Sequence, residues 1–129
     1  PSVASIGCGP VEPERLLAEW RALQAMYPVV LAEGAGGVMV PVCNGWLVRD
    51  LIRAFEVPTL VVARPRLGTI NHTLLSVEAL RSAGIPVLGV VVNEGERPME
   101  GAERQSVAVA SLEGELRRWL GVPLLDGLP

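Results

Sequence analysis

Three short segments combine residue types that could do chemistry. The first is Glu33-Gly34-Ala35-Gly36-Gly37, directly after Val29, Val30, Leu31 and Ala32. A carboxylate closing an apolar run is placed to hold Mg²⁺ directly or through water. The glycines that follow let the backbone approach a ligand closely and turn N–H groups toward an anion. A solvated strand-end glutamate before a flexible turn is the competing reading, and the intact glycine run weighs for the ligand. The second segment is Leu67-Gly68-Thr69-Ile70-Asn71-His72. It reads as a helix opening whose free N–H groups attract a carboxylate or phosphate, with Thr69 as cap and Arg64 and Arg66 adding positive charge. An ordinary capped helix with solvated arginines competes, and composition alone favours it. The third is Asn93, after the apolar run 87–92. Its amide could read a base edge or form a turn, and both readings stay open. His72, the only histidine, has no nucleophile–base–carboxylate arrangement around it and reads as a packed or surface residue. Glu94, Glu96, Glu100 and Glu103 lack metal-ligand spacing and read as a solvated acidic face.

These residues need elements to position them. The runs 29–32, 59–63 and 87–92 are continuous in Val, Leu and Ala, as suits strands buried on both faces of a parallel sheet. Their spacing of about 30 residues is that of a βαβ unit. Residues 123–125 offer a further short strand. Helices are expected between them. Pro13 sits at a first-turn position beside Glu12 and Glu14, followed by a stripe of Leu16, Leu17, Trp20, Leu23 and Met26. Val48, Leu51, Ile52 and Phe55 mark a second helix. Ile70, Leu74, Leu75, Val77 and Leu80 mark a third, ending at Ala83-Gly84 with Pro86 beyond. Val109, Leu112, Leu116, Trp119 and Leu120 mark a fourth, stopped by Gly121 and Pro123. The order αβαβαβαβ predicts an α/β fold: an open, mostly parallel sheet with flanking helices. Ligands of such sheets bind beyond the C-terminal strand ends, where all three chemical segments fall.

Composition narrows the chemistry. The chain has 129 residues, half of them hydrophobic, which suits one domain with a real core. Mean hydropathy is +0.39, against disorder. All 11 basic residues are Arg, so lysine Schiff-base chemistry and a P-loop lysine are excluded for this chain. A net charge of −3 suggests neither a nucleic-acid nor a membrane partner. Cys8 and Cys43 form no zinc-ligand pattern and read as buried free thiols of a reducing cytoplasm. No apolar run approaches a membrane span, and no secretory leader is visible.

The run Val30-Leu31-Ala32-Glu33-Gly34-Ala35-Gly36-Gly37 with Val40-Pro41 resembles the central motif of the dethiobiotin synthetases. Leu67-Gly68-Thr69-Ile70-Asn71-His72-Thr73-Leu74-Leu75 and Gly84-Ile85-Pro86-Val87-Leu88-Gly89-Val90-Val91-Val92-Asn93 resemble the same family in order and spacing. Gly121-Val122-Pro123-Leu124-Leu125 resembles its late strand, and Pro1-Ser2-Val3-Ala4 its substrate-side helix, with Ser2 where the family often has His. The combination of the Glu33 and Leu67 motifs is specific. The resemblance covers nearly the whole chain.

The resemblance implies a P-loop NTPase-like fold, incomplete at its N-terminus, across residues 1–129. It implies a cytoplasmic homodimeric ligase of biotin biosynthesis that uses ATP, Mg²⁺ and CO₂. The family closes the ureido ring of dethiobiotin from 7,8-diaminopelargonic acid through a carbamate that is phosphorylated and cyclises. Glu33 would be a Mg²⁺ ligand. Gly34, Ala35, Gly36 and Gly37 would lie between nucleotide and diamine, with Pro1 on the substrate side. Gly68, Thr69, Ile70 and Asn71 would hold the substrate carboxylate at a helix N-terminus across the dimer interface. Asn93, Leu125, Asp126 and Gly127 would lie at the nucleotide, although Asp126-Gly127-Leu128-Pro129 departs from the usual Gly-Glu-Ile-Pro. The family's P-loop, its two catalytic lysines and a metal-holding aspartate have no counterpart here. The chain alone is therefore expected not to run the reaction. A non-catalytic relative that binds a carboxylate ligand or a protein partner, and a corrinoid-type amide synthetase fragment, are the alternatives.

Overall fold

The computed structural model describes residues 11–43, 45–93 and 102–125, with 102–110 described as helical backbone. Helix α1 spans Pro13–Met26, with Pro13 in its first turn. A hairpin of β1 (Pro41–Cys43) and β2 (Trp46–Leu47) leads into α2 (Val48–Phe55). Then come β3 (Thr59–Ala63), α3 (Thr69–Ser82), β4 (Val87–Val92), α4 (Ala102–Trp119) and β5 (Leu124–Leu125). Strands β3, β4 and β5 form a parallel sheet in that order. The α/β architecture expected from the apolar runs is what forms, and β3 and β4 have the expected limits.

Local chemistry explains most boundaries. The C-terminal end of α3 turns through Gly84 at φ 73°, a conformation that favours glycine. The Leu47 N–H donates to the Asp50 carboxylate at 2.9 Å, which secures the start of α2. One register irregularity lies between β3 and β4: Thr59 faces Val87 while Leu60 faces Gly89. Leu88 is the extra residue, so it leaves the core side and is exposed.

The core lies on one side of the sheet. Ala63, Val90, Val92 and Leu124 pack with Val77 of α3 and with Leu116 and Leu120 at the end of α4. Arg81 ties α3 to the end of α4, donating to the Leu120 and Gly121 carbonyls at 3.2 and 2.6 Å. A second contact joins α1 to α2, where Trp20 stacks on Phe55 with ring centroids 4.7 Å apart.

Three expectations are corrected, and one element is additional to them. The run 29–32 joins no ladder among the described residues, and Val29 and Leu31 are 75% and 92% exposed. An apolar run becomes a strand only when a neighbour satisfies its backbone, and among the described residues β3 pairs along one edge. The C-terminal part of the α1 stripe is uncovered: Leu16 and Leu17 are half-buried and Trp20 is buried, but Leu23 and Met26 are exposed. Cys43 is half-buried rather than buried, because it ends a hairpin strand outside the core, and Cys8 lies outside the described residues. The hairpin was not expected, although Asn44-Gly45 between two short apolar segments is a hairpin signal.

Candidate functional site

The C-terminal ends of the parallel strands gather the second and third segments. The Asn93 N–H donates to the Ala63 carbonyl at 2.8 Å, so Asn93 lies beside the start of the Arg64–Thr69 turn. Leu125 pairs with Val91 and is 41% exposed, on the far side of β4. Asp126, Gly127 and Pro1 lie outside the described residues.

The turn into α3 has a local cause. Gly68 precedes the helix at φ 88°, in the left-handed region. The buried Thr69 is the first helical residue, and its hydroxyl accepts the Arg66 N–H at 3.0 Å and donates to the Arg64 carbonyl. Thr69 therefore does not cap α3 through its side chain, as the sequence suggested. It ties down the preceding loop instead, because its hydroxyl points back along the chain. The N–H groups of Ile70 and Asn71 belong to the first turn, which has no intrahelical carbonyls to bond.

These residues wall an open groove of about 730 Å³ between the start of α3 and α4. Leu67, Gly68, Ile70 and Asn71 supply one wall; Ser111 and Leu112 of α4 supply the other. Leu112 was read from sequence as core only; its place on the helical stripe gave no sign that it also faces the α3 N-terminus. A smaller hollow of about 350 Å³ lies on the other side of the turn, against Val62, Arg64, His72 and Ser76. A Cβ on Gly68 would lie 3.4 Å from the His72 Cε1, so the imidazole covers the glycine.

The first segment stands apart. Glu33 and its glycines are exposed, and they line neither groove. Gly36 has φ 87°, and a Cβ there would meet Val40 Cγ2 at 3.1 Å. Gly34 is close to Val48 of α2. The segment is thus folded back on the hairpin and α2 and is not brought to the groove. Among the described residues no three His, Cys, Asp or Glu side chains gather for a metal. A lone Glu33 carboxylate fits one position of a Mg²⁺ shell completed by water and phosphate. The chain's lack of lysine does not fit the phosphate cradle of ATP. Glu94, Glu96 and Glu100 lie outside the described residues, and Glu103 is described as helical backbone only. Among the described residues no helix is long and apolar enough to cross a membrane.

Comparison with known proteins agrees with this architecture. The family model described as an AAA domain matches residues 10–129. An ATP-dependent dethiobiotin synthetase of Bacillus subtilis strain 168 is 35% identical over 116 residues, covering 90% of this chain and 48% of the relative. One from Bacillus velezensis is 43% identical over 91 residues, 70% of this chain and 39% of the relative. One from Methanocaldococcus jannaschii is 48% identical over 80 residues, 62% of this chain and 37% of the relative. The chain spans about half the length, or less, of these curated relatives. With a parallel sheet, a left-handed Gly68 opening α3 and a family match over residues 10–129, the chain belongs to the AAA domain family and is dethiobiotin synthetase-like.

Proposed function

We propose that this chain is the carboxylate- and base-binding portion of an ATP-dependent dethiobiotin synthetase. The whole protein is a cytoplasmic, homodimeric cyclo-ligase of biotin biosynthesis that uses Mg²⁺ and CO₂ to close the ureido ring on 7,8-diaminopelargonic acid. The observation that carries this reading is the groove at the start of α3. Its Ile70 and Asn71 N–H groups present a partial positive end to a carboxylate. Leu67, Ile70 and Leu112 give the groove the apolar lining an aliphatic diamino acid needs.

Each residue then has a bounded task. Gly68, Thr69, Ile70 and Asn71 fix the substrate carboxylate and so place the amines. Asn93 and Leu125, at adjoining strand ends, meet the nucleotide base, with Asp126 and Gly127 following in sequence. Glu33 would supply one oxygen to Mg²⁺, and Gly34, Ala35, Gly36 and Gly37 would leave room beside it; Pro1 is assigned to the substrate side by the family resemblance alone. ATP supplies the phosphoryl group that activates the carbamate. No step of that transfer is assigned to this chain, which has no lysine to serve it. Residues 1–129 act as one domain-sized unit of the larger site. Neither a nucleic acid nor a membrane is a partner in this reading, and the charge of −3 supports that. The alternatives gain no support, since the relatives above are all named dethiobiotin synthetases.

The test is calorimetry with 7,8-diaminopelargonic acid, followed by a ring-closure assay with ATP and ¹⁴C-bicarbonate on the chain joined to the complementary half of a synthetase. Diamine binding by the chain and turnover only in the joined protein are expected. Absence of diamine binding to both would overturn the reading.

A further inference from the structure

We propose that Arg66 is a specificity-determining residue of the α3 groove: its guanidinium pairs with the carboxylate of the diamino acid and selects the acid over an uncharged analogue. The proposal rests on the reading of that groove given above, and it adds a side chain that this reading leaves without a task.

Two arginines flank the turn into α3, and the structure separates them. Arg66 stands at the turn and lines both hollows, whereas Arg64 lines only the smaller one. Among the described residues that wall the larger groove, Arg66 is the one ionisable side chain. Leu67, Ile70, Leu74 and Leu112 are apolar, Asn71 and Ser111 are polar without charge, and the Thr69 hydroxyl is already engaged.

The backbone of Arg66 is held at both of its polar groups. Its N–H donates to the Thr69 hydroxyl at 3.0 Å and to the Arg64 carbonyl at 2.9 Å. Its carbonyl accepts the Thr69 N–H at 3.1 Å. Thr69 is buried, so the point from which the guanidinium extends is fixed from inside the fold. A pre-positioned side chain loses less freedom when it closes on a ligand. The side chain itself is exposed, and among the described residues no carboxylate pairs with it. Arg81, by contrast, directs its donors to the Leu120 and Gly121 carbonyls.

The helix start and the guanidinium discriminate differently. The Ile70 and Asn71 N–H groups can bond any carbonyl oxygen, so an amide meets their geometry as well as a carboxylate does. Their partial charge favours the anion only weakly. A guanidinium carries a full charge and a fork of donors that matches both oxygens of a carboxylate. Against the amide of the same acid, one of those donors would face an NH₂ group, which is itself a donor. Selectivity arises from that mismatch as much as from the attraction. The apolar walls keep part of the water away that would otherwise screen the pair.

The experiment compares 7,8-diaminopelargonic acid with its primary amide by calorimetry, on the parent, Arg66→Gln and Arg66→Lys. Each is measured as the 129-residue chain and joined to the complementary half of a synthetase. The parent should bind the acid more tightly than the amide. Arg66→Gln should weaken the acid about tenfold and the amide less than about twofold. Its urea midpoint should not move, because the side chain is exposed. Arg66→Lys, which keeps the charge and loses the fork, should fall between. Acid binding should also lose most of its salt dependence in Arg66→Gln. In the joined synthetase the KM for the diamine should rise with kcat nearly unchanged, since the lost contact is common to ground and transition states. An acid-to-amide ratio that Arg66→Gln leaves unaltered overturns the proposal while the family reading stands. An equal loss of the ratio in Arg64→Gln overturns it as well, because the effect would then be the general charge of the loop. If the parent binds neither ligand in either form, the family reading fails and the role of Arg66 fails with it.

Discussion

The Thr69 hydroxyl holds the Arg66 N–H at 3.0 Å from inside the first turn of α3, and it also donates to the Arg64 carbonyl. One buried side chain thereby fixes the loop that brings Arg66 and Gly68 to the candidate groove and Arg64 to the smaller hollow beside it. The strand end and the helix start are coupled through it, and several expected outcomes follow from that geometry.

Thr69→Val keeps the volume and removes both hydrogen bonds. Thr69 is 7% exposed, so the abandoned Arg66 N–H and Arg64 carbonyl would be poorly solvated. Leaving such groups unpaired costs about 1–3 kcal/mol. A lower urea midpoint with unchanged m-value is expected, together with weaker diamine binding. Thr69→Ser should restore most of both. A Thr69→Val chain as stable as the parent would show that the hydroxyl does not organise the loop.

Gly68→Ala places a side chain at φ 88° with its Cβ 3.4 Å from the His72 ring. The left-handed backbone alone costs about 1–2 kcal/mol. His72→Ala in the same chain should relieve the contact but not the backbone term. Thermal unfolding of both variants separates the two; full rescue by His72→Ala would assign the cost to the ring.

Gly89→Ala should loosen the end of the sheet. A Cβ there would lie 2.8 Å from the Pro123 carbonyl oxygen and 3.1 Å from Leu125 Cγ. That carbonyl accepts the Val90 N–H at 2.9 Å, so displacing it opens the β4–β5 pairing. Overpacking of this kind costs about 1–3 kcal/mol. Hydrogen exchange should quicken first at Val90 and Leu125, and uniform quickening along the whole chain would contradict the local assignment.

Glu33→Gln should leave the fold nearly unchanged, within about 0.5 kcal/mol, because the side chain is exposed. In the joined synthetase it should weaken Mg²⁺-dependent nucleotide binding, read by calorimetry across a Mg²⁺ series. Unchanged Mg²⁺ dependence would remove Glu33 from the metal shell. A large drop in stability would make it a structural residue instead.

The sequence by itself determined the elements whose causes are local. Pro13 and the apolar spacing of α1, the Gly84 turn after α3, and the continuous runs of β3 and β4 all reappear at their expected places. Each depends on backbone dihedral limits and side-chain period, which residue identity carries. The Asn44-Gly45 pair between two short apolar segments is an equally local hairpin signal.

Tertiary structure alone decided which runs became strands and which polar groups met. Val29, Val30, Leu31 and Ala32 are as strand-like as Thr59–Ala63, yet among the described residues only the latter has a neighbour to take its hydrogen bonds. Thr69 resembles a helix cap in sequence, but the left-handed Gly68 turns its hydroxyl back to Arg66 and Arg64. Leu112 joined the groove because α4 packs beside the start of α3. Such outcomes depend on partners distant in the chain. A hydrogen bond or a packed face is a relation between two segments, and neither segment's sequence contains it.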